Sequence, residues 1–476
     1  MTLSAHKTRI VCTIGPASEK PEVMEAMIGA GMDVARLNFS HGDFAGKKKV
    51  IETIRAASKK VGCRVAIMAD LPGPKMRIGT FAHEPLELKK GDTFTLTTEE
   101  VTGSPSRVSV SFDRLPQAVK AGDRLFINDG YIELEVVGVT GRDVECRVLV
   151  GGELRSRKGL NLPGINLGIS AFTDRDRECL AFAMDQSIDA VSQSFVESAK
   201  DIDAVHSAAT AMGYNPFIIA KIERSGALNH IDGILEAADG IMIARGDLGV
   251  EIPIEQIAVV QKELMKKANL IGKPVITATQ MLESMTGNRR PTRAEATDVA
   301  NAILDGTDCV MLSAESAMGA FPVESVEMLG KIAAAVEPHR SRSHLRETLE
   351  KAYNREGGVN ITDLIALNVA TTVVGISPAA VIVPTRSGAT ARSISRFRLP
   401  LWITAVSTQA DTCQRLQFSY GVNPVYLADH PDNWKPFAKD LLKSYGAEGN
   451  LVVLTEGPSS KYPETNNRIE LMDLSK

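Results

Sequence analysis

Eight short apolar segments recur along the first part of the chain, and stretches with apolar residues at helical spacing separate them. Apolar runs of this length, bounded by turn residues, are typical of strands buried on both faces of a parallel sheet. Eight such strands with right-handed helical crossovers are the number that closes a (β/α)8 barrel. The predicted strands are 10–14, 34–39, 65–71, 190–195, 217–222, 241–244, 275–279 and 309–313.

Between the third and fourth of these strands the pattern changes to alternating strands and turns, and Asn-Asp-Gly at 128–130 is a hairpin signal. Pro-Gly-Pro at 72–74 cannot continue the third strand and marks a boundary. We therefore predict a small all-β domain inserted over 73–169. Since it would leave the barrel at the carboxyl end of a strand, it is placed to close over a site there as a lid.

After a last barrel helix at 323–337 and a polar linker at 338–363, a second pattern of helices and strands begins. It predicts an open sheet with flanking helices. The fold class is therefore α/β: a (β/α)8 TIM barrel with an inserted small β-barrel lid domain and a C-terminal open-sheet α/β domain. The predicted domains are 1–72 with 170–345, 73–169, and 346–476.

Length, charge and cysteine usage restrict the class of protein. At 476 residues the chain is too long for one hydrophobic core. A net charge of −4 gives no basic footprint for nucleic acid, and no apolar run reaches membrane length. The six cysteines form no CxxC pair. We expect a cytoplasmic enzyme with reduced thiols that binds neither nucleic acid nor membrane.

Two neighbouring strands end in charged residues. Lys221 and Glu223, two positions apart, share a face at the end of one strand, and Asp247 follows the next. Because parallel strands end at the same edge of a barrel, one ammonium and two carboxylates should meet there. That set suits a divalent metal and an anionic substrate. The alternative is that Glu223 and Asp247 only cap the helices that follow.

The second and third strands also end in polar residues. Arg36, Asn38 and Ser40 share one face by period-two spacing, and Asp70 ends the third strand. An arginine there matches a phosphate, while amide and hydroxyl oxygens can ligate a hard cation. The alternative is a polar strand end followed by a turn.

Hydroxyl groups end two further strands. Thr279 lies where a helix is predicted to start, and Ser313 precedes Glu315 in a similar position. Each hydroxyl can position a water or donate to a carboxylate, or can simply cap a helix. The basic loop 155–164 contains Lys158, which can meet phosphates if the lid closes or can be an ordinary exposed residue.

Six stretches together resemble the pyruvate kinase family, in the family's order and over nearly the whole chain: RLNFSHG, KIE, ARGDLGVEI, TATQMLESM, RPTRAEATDVANA and MLSAES. The resemblance implies transfer of a phosphoryl group from phosphoenolpyruvate to ADP, giving ATP and pyruvate in glycolysis. It also implies Mg²⁺ or Mn²⁺ as cofactor, a phosphorylated allosteric effector and a homotetramer.

The resemblance also implies roles for individual residues. The implied Mg²⁺ ligands are Glu223 and Asp247. The implied contacts to the transferring phosphoryl group and substrate are Lys221, Arg36, Thr279 and the backbone of Arg245, Gly246 and Asp247. Those on the nucleotide side are Asn38, His41, Arg77 and Lys158, and those serving protonation of the enolate are Thr279 and Ser313.

One departure from the family pattern concerns K⁺. Many members bind K⁺ through an Asn, a Ser, an Asp and a Thr carbonyl, and carry Glu in a GPE motif. Here Asn38, Ser40 and Asp70 are kept, but Leu71 replaces the Thr and Lys75 replaces the Glu. An ammonium is a compact monovalent charge that can stand near the vestigial cation site. We predict that K⁺ is not required.

A loop in the C-terminal domain has the composition of a phosphate cradle. Its members follow a predicted strand and begin a helix: Thr385, Arg386, Ser387, Gly388, Ala389 and Thr390. The family places a sugar-phosphate effector in such a loop. The alternative is an ordinary helix N-terminus.

Two other functions compete with the kinase. A metal-dependent barrel lyase or aldolase would also use paired acids, but it leaves the inserted domain, Arg77 and Lys158 unexplained. A catalytically inactive sensor would bind a metabolite at 385–390, but it leaves the strand-end residues Lys221, Glu223 and Asp247 unexplained.

Overall fold

A computed structural model describes residues 3–165, 167–340, 361–457 and 467–476 of the protein. Eight parallel strands close into a barrel in the order β1-β16-β15-β14-β13-β12-β3-β2. This confirms the predicted barrel. The strands are β1 (Arg9–Thr13), β2 (Val34–Asn38), β3 (Ala66–Leu71), β12 (Ala190–Gln193), β13 (Phe217–Ile222), β14 (Gly240–Ala244), β15 (Val275–Ala278) and β16 (Cys309–Leu312).

Helices between and after these strands form the outer layer. They are α1 (Pro21–Gly29), α2 (Phe44–Val61), α4 (Asp174–Asp185), α5 (Ala199–Ala211), α6 (Ser225–Asn229), α7 (Ile231–Ala237), α8 (Arg245–Glu251), α9 (Ile257–Leu270), α10 (Arg293–Asp305), α11 (Ala314–Ala317) and α12 (Pro322–Val336). No helix within the described part of the chain is long and apolar enough to cross a membrane.

Two helix predictions are corrected. Apolar residues at helical spacing over 225–238 predict a single helix, but the structure divides it into α6 and α7 at His230, whose ring Nδ1 lies 3.1 Å from the Gly226 carbonyl oxygen. The backbone N–H of His230 donates to Ala227 instead. The helix expected directly after Thr279 is wrong: Thr279 and Gln280 have φ of 76° and 55°, which excludes a helix there. The next element in the chain is a 3₁₀ turn, Glu283–Thr286.

Between β3 and α4 the described part of the chain forms strands and one short helix, α3 (Leu115–Ala118). Six strands form one sheet in the order β11-β7-β8-β9-β5-β6, and β4 pairs with β10. The hairpin at 128–130 is confirmed, with φ positive at all three residues. The strands are β4 (Leu86–Leu88), β5 (Thr93–Thr97), β6 (Arg107–Ser109), β7 (Arg124–Ile127), β8 (Ile132–Thr140), β9 (Asp143–Val150), β10 (Gly152–Leu154) and β11 (Leu160–Asn161).

The C-terminal part contains the predicted open sheet, in the order β19-β18-β17-β20-β21, with only β21 antiparallel. Its elements are α13 (Ile361–Ile376), β17 (Ala380–Pro384), α14 (Ala389–Ser395), β18 (Ile403–Ser407), α15 (Ala410–Arg415), β19 (Val422–Tyr426), α16 (Trp434–Tyr445), β20 (Leu451–Glu456) and β21 (Arg468–Asp473). The domain limits near 72 and 169 stay predictions. The limit predicted at 345, and most of the predicted linker, lie outside the described residues.

The C-terminal part packs against the amino-terminal ends of the barrel strands. Phe418 is fully buried and stacks on Phe217, the first residue of β13, with ring centroids 5.4 Å apart. The Cys309 thiol, at the start of β16, donates to the Phe418 carbonyl at 3.4 Å. Nearby, Arg398 forms a buried ion pair with Asp308 at 2.5 Å. The carboxyl ends of the strands are therefore at the opposite end of the barrel.

Replacing Phe418 by Ala should leave a cavity at the base of the barrel. The expected loss is about 3–5 kcal/mol of unfolding free energy, measured by urea unfolding, because a fully buried phenyl ring is removed. Phe418→Leu, which keeps most of the volume, should cost clearly less. Equal and small effects for the two variants would show that Phe418 is not part of the barrel core.

Candidate active site

Four charged side chains meet at the carboxyl end of the barrel. Arg36, Asp70 and Lys221 lie on three strands, and Glu223 directly follows the third of these. The Lys221 ammonium, on β13, donates to Ser194 Oγ at 2.7 Å and lies 2.9 Å from Glu223 Oε1 and 3.2 Å from Asp70 Oδ1. All three N–H groups of Lys221 therefore have oxygen partners. Because the barrel closes β3, β12 and β13 side by side, it brings residues distant in sequence into one cluster.

The Arg36 guanidinium completes the cluster from β2. Its Nε donates to Asp70 Oδ2 at 3.0 Å, its Nη2 pairs with the same oxygen, and its Nη1 donates to Thr13 Oγ1 at 2.8 Å. A guanidinium carries five N–H groups, so two remain for a ligand. The Arg36 side chain is 11% exposed, so a small part of it is accessible to solvent.

The charges of this cluster control one another's protonation. Burial alone would lower the pKa of Lys221, but the carboxylates of Asp70 and Glu223 raise it to about 12. Burial alone would raise the pKa of Asp70, but Lys221, Arg36 and the Ser192 hydroxyl hold it at about 2. Lys221 is therefore a cation and Asp70 an anion at neutral pH.

The carboxylates of Glu223, which follows β13, and Asp247, in α8, are close enough to affect each other's charge. The pKa of Glu223 is raised, first by burial and also by the negative charge of Asp247, against the effect of Lys221. Glu223 Oε2 accepts the Phe195 N–H at 2.7 Å. Within the described ranges no three His, Cys, Asp or Glu residues gather in a metal-binding group. Two carboxylates nevertheless fit Mg²⁺, which takes one or two protein carboxylates and fills its shell with substrate and water oxygens.

Thr279 and Gly246 pack against each other at the ends of β15 and β14. A Cβ added to Gly246 would lie 2.7 Å from Thr279 Cγ2, so only glycine fits. A β-branched residue with positive φ, as at Thr279, is strained and needs support from its surroundings. Arg245 provides it, because its Nη2 donates to the Thr279 carbonyl at 2.8 Å and its Nη1 pairs with Asp298 at 2.7 Å. The Arg245 side chain thus supports the Thr279 loop.

Ser313 lies beside this loop and is held in place by Glu315. The fully buried Glu315 accepts the Ser313 N–H at 2.7 Å and the Leu282 N–H at 3.0 Å. The Ser313 hydroxyl does not cap α11. The helix-cap alternative is therefore wrong for this side chain.

Basic residues around His41 line the approach from the inserted domain. The pKa of His41 is lowered by burial and by the positive charges of Arg77, Lys47, Lys75 and Arg36. Arg77 Nη1 donates to the Arg157 carbonyl at 2.9 Å. The Lys158 carbonyl accepts the Ile78 N–H at 2.9 Å, and the half-buried Asn38 ends β2. Arg77, Lys158 and His41 thus lie where the inserted strands meet the barrel.

Three of the four residues expected at the monovalent-cation site have oxygens that are bonded within the protein. Asn38 Oδ1 accepts the Ser40 N–H at 2.9 Å, and the Leu71 carbonyl accepts the Ser194 hydroxyl at 2.7 Å. Asp70 pairs with Arg36 and Lys221, as described above. The exposed Lys75 extends toward Gly159, since a Cβ added there would lie 3.9 Å from Lys75 Cε.

The loop 385–390 follows β17 and leads into α14, as predicted. Thr385 Oγ1 accepts the Gly388 N–H at 2.9 Å, and Ser387 Oγ accepts the Ala389 N–H at 3.4 Å. Arg386 is exposed and Gly388 has φ of 80°. The loop hydroxyls therefore bind the loop's own amides, and Arg386 is accessible to solvent.

Sequence reasoning missed residues that position the cluster. Ser192 donates to Asp70 Oδ1 at 2.7 Å, and Ser194 links Lys221 to the Leu71 carbonyl. Thr13 binds Arg36, and Glu315, for which no supporting role is predicted from the sequence, accepts the Ser313 N–H. Alternating serines at the end of β12 are a period-two signal that could have identified the first pair.

The charge cluster generates a pH prediction. The pKa of Asp70 is about 2 in the folded protein, below the ordinary value of 3.8. Ionised Asp70 therefore stabilises the fold above about pH 4, by about 2 kcal/mol, and this contribution is lost as the pH falls through about 2. The difference in unfolding free energy between wild type and Asp70→Asn should shrink from pH 5 to pH 2, with the exposed Asp113→Asn as control. A constant difference would contradict the coupling.

Comparison with known proteins identifies the family. The family model described as "Pyruvate kinase, barrel domain" matches residues 5–326, and "Pyruvate kinase, alpha/beta domain" matches residues 363–472. A pyruvate kinase of Thermococcus litoralis is 48% identical over 472 residues, covering 98% of each chain. A pyruvate kinase of Clostridium acetobutylicum is 39% identical over 472 residues, covering 98% of this chain and 99% of the relative.

A solved structure agrees with these matches. The crystal structure of a pyruvate kinase from Cryptosporidium parvum superposes with a TM-score of 0.92 at 35% identity, over 99% of this chain and 96% of that one. The family models together cover most of the chain, through both the barrel and the C-terminal sheet. The chain therefore belongs to the pyruvate kinase family and is a phosphotransferase.

Proposed function

We propose that this protein transfers the phosphoryl group of phosphoenolpyruvate to ADP and releases pyruvate. The observation that carries the proposal is the buried Lys221 ammonium, between the Asp70 and Glu223 carboxylates and close to Arg36. Phosphoryl transfer needs positioning and charge neutralisation more than covalent chemistry. Fixed cations at the carboxyl end of the barrel supply both.

Lys221 and Arg36 are the proposed contacts to the transferring group. The contact of Lys221 with Asp70, at 3.2 Å, is the longest of its three, so a phosphoryl oxygen can replace it at the least cost. The two remaining N–H groups of Arg36 add a second, planar contact. With Asp70 fixed by Ser192 and Arg36, the ammonium keeps a defined position when its partner changes.

Glu223 and Asp247 are the proposed ligands of Mg²⁺, or of Mn²⁺ in its place. A divalent ion bound there supplies charge neutralisation for the phosphoryl oxygens. The negative charge of Asp247, which raises the pKa of Glu223, is consistent with a site made for a cation. Glu223 is oriented by the Phe195 N–H.

The substrate carboxylate is proposed to bind the start of α8, where Arg245, Gly246 and Asp247 present backbone N–H groups. Gly246 lets the backbone approach Thr279 closely. Thr279 and Ser313 then lie next to the enolate, where their hydroxyls can order the water that donates the proton to carbon. The nucleotide is proposed to enter between Asn38, His41, Arg77 and Lys158, with the inserted domain closing as a lid.

Lys221→Met should lower kcat by about 10³-fold, because the cation nearest the transferring group is removed. Phosphoenolpyruvate and Mn²⁺ should still bind, measured by equilibrium dialysis and Mn²⁺ resonance. Lys48→Met, on the exposed face of α2, is the control for loss of a lysine. Turnover by Lys221→Met within tenfold of wild type would remove Lys221 from this role.

We further propose that turnover does not require K⁺. The oxygens of Asn38, Leu71 and Asp70 are already bound to donors of the chain. The positive charges of Lys75 and Arg77 act on the same region, as the lowered pKa of His41 indicates. A second monovalent cation is then unnecessary.

Pyruvate formation should therefore proceed in a tetramethylammonium buffer free of K⁺ and change little when K⁺ is added. Lys75→Glu should make turnover depend on added K⁺, since it replaces a local cation by an acid. Lys89→Glu, on the exposed surface of the inserted domain, is the matched control and should stay independent of K⁺. If the unaltered protein is active only when K⁺ is present, the proposal for Lys75 is contradicted.

A phosphorylated effector is proposed to bind at 385–390, where Arg386 is exposed and the hydroxyls of Thr385 and Ser387 face the loop. Binding would have to exchange the internal amide contacts of the loop for contacts to phosphate. The functional assembly is proposed to be a homotetramer, as the family implies.

A further inference from the structure

The chain leaves the barrel after β3 and returns to it after β11, and a side chain of the barrel holds each of these connecting segments. On the outgoing segment, the Gly73 N–H donates to Asp176 Oδ1, in α4, at 2.9 Å. On the returning segment, the Ile165 carbonyl accepts Nη2 of Arg224 at 2.7 Å. Segments of this kind are where an inserted domain pivots when it moves, so contacts made there bear directly on its orientation.

Arg224 directly follows Glu223 and is buried between the barrel and the returning segment. Its side chain is 7% exposed, and its Nη1 pairs with Glu197 at 3.0 Å. The two terminal nitrogens therefore have different partners, Glu197 on the barrel and Ile165 on the inserted chain. A guanidinium can hold both because its N–H groups form a rigid planar fork. The ion pair fixes the fork, and the fork holds the backbone of the returning segment.

Gly226 makes room for this ion pair. A Cβ added to Gly226 would overlap Glu197 Oε1, so the Glu197 side chain crosses the start of α6 at a place where only glycine fits. Glycine is unfavourable within a helix, because it loses more conformational freedom than alanine on folding. Its presence in α6 is explained by the passage of Glu197 to Arg224.

The loop that carries Glu197 also contacts Glu223 and the outgoing segment. Phe195, in this loop, has φ of 58° and donates its N–H to Glu223 Oε2 at 2.7 Å. A Cβ added to Gly73 would lie 3.0 Å from Phe195 Cδ2, so the phenyl ring lies against the outgoing segment. A residue other than glycine with positive φ is strained and persists only where its surroundings hold it. One held loop thus connects Glu223 with both segments of the hinge.

The inserted domain has a looser contact with the barrel at its hairpin 128–130. A Cβ added to Gly130 would lie 3.5 Å from Val250 Cγ2, in α8, which is an ordinary van der Waals distance. Beside this contact is a cleft of about 580 Å³, lined on its two sides by residues that include Phe126 and Ile254. Because the cleft leaves room for the hairpin to move relative to α8, the orientation of the inserted domain depends more on its connecting segments.

We propose that Arg224 is a positioning residue that fixes the orientation of the inserted domain over the carboxyl end of the barrel. It acts through the Ile165 carbonyl and not on a substrate. Arg77 and Lys158, the proposed nucleotide contacts of the inserted domain, move with it. The consequence for turnover therefore rests on the proposed function, whereas the role of Arg224 in orientation does not.

The direct test measures the distance distribution between two spin labels by pulsed electron paramagnetic resonance. One label is on Cys63, the exposed cysteine of the barrel, and the other is on Lys89→Cys, at the surface of the inserted domain. The test variant combines Arg224→Met with Glu197→Gln, so that Glu197 is not left as an unpaired carboxylate. We expect its distance distribution to be about twice as wide as that of the labelled parent, because the returning segment loses its contact with the barrel.

Two controls separate this contact from other effects. Glu197→Gln alone removes the ion pair but keeps the Arg224 contact with Ile165, so its distribution should stay close to that of the parent. Arg340→Met removes a different buried arginine, which donates to the Ile303 carbonyl at 2.8 Å and packs on Tyr420, and it should leave the distribution narrow. Equal widths in the test variant and in Glu197→Gln alone would overturn the proposal.

Steady-state kinetics distinguishes positioning from a general loss of stability. The test variant should raise KM for ADP by about tenfold and change KM for phosphoenolpyruvate by less than about twofold, because Lys221 and Arg36 stay on the barrel. An unchanged ratio of the two KM values, with only a lower midpoint of thermal unfolding, would contradict the proposal. If the parent protein shows no kinase activity, the proposed function fails, and the spin-label widths still decide the role of Arg224.

Discussion

The buried ion cluster of Lys221 with Asp70 and Glu223 is the interaction on which the active-site end of this structure depends. Charges removed from water are tolerated only when they are paired and their remaining hydrogen-bonding groups are satisfied. Here each charge has at least two partners, and they come from different barrel strands. The cluster forms only when the barrel closes in the observed register. Folding of the barrel and assembly of the charged site are therefore one event.

The two ends of the barrel carry different groups. The carboxyl ends of the strands carry the charges, and the inserted domain departs from β3 at that end. The amino-terminal ends are closed by Phe418 and by the pair of Arg398 with Asp308. Because the C-terminal part is anchored at the base, ligand binding there can reach the site through the barrel strands and helices that it contacts, whose packed interior transmits small shifts.

The sequence predicted the strands closely because each is an apolar run that ends in a polar residue. Lys221, Glu223 and Asp70 could be placed at one edge for the same reason. Contacts that depend on side-chain direction could not be predicted. Arg245 follows a strand like the other site residues, yet its guanidinium turns away to support Thr279. The helix is interrupted at His230 because the ring nitrogen and the backbone amide of His230 compete for the Gly226 carbonyl oxygen. The spacing of apolar residues carries no information about such a contact.

The polar groups at the two ends of the barrel differ in how completely they are paired. At the active site, Lys221, Asp70 and Arg36 bind one another, so the charges stay in place before a substrate arrives. With the proposed role of Lys221, substrate binding would exchange one long contact instead of rearranging the cluster. At the base, several guanidinium groups keep donors without acceptors. A site that must release its product and bind the next substrate benefits from charges that are already held in place.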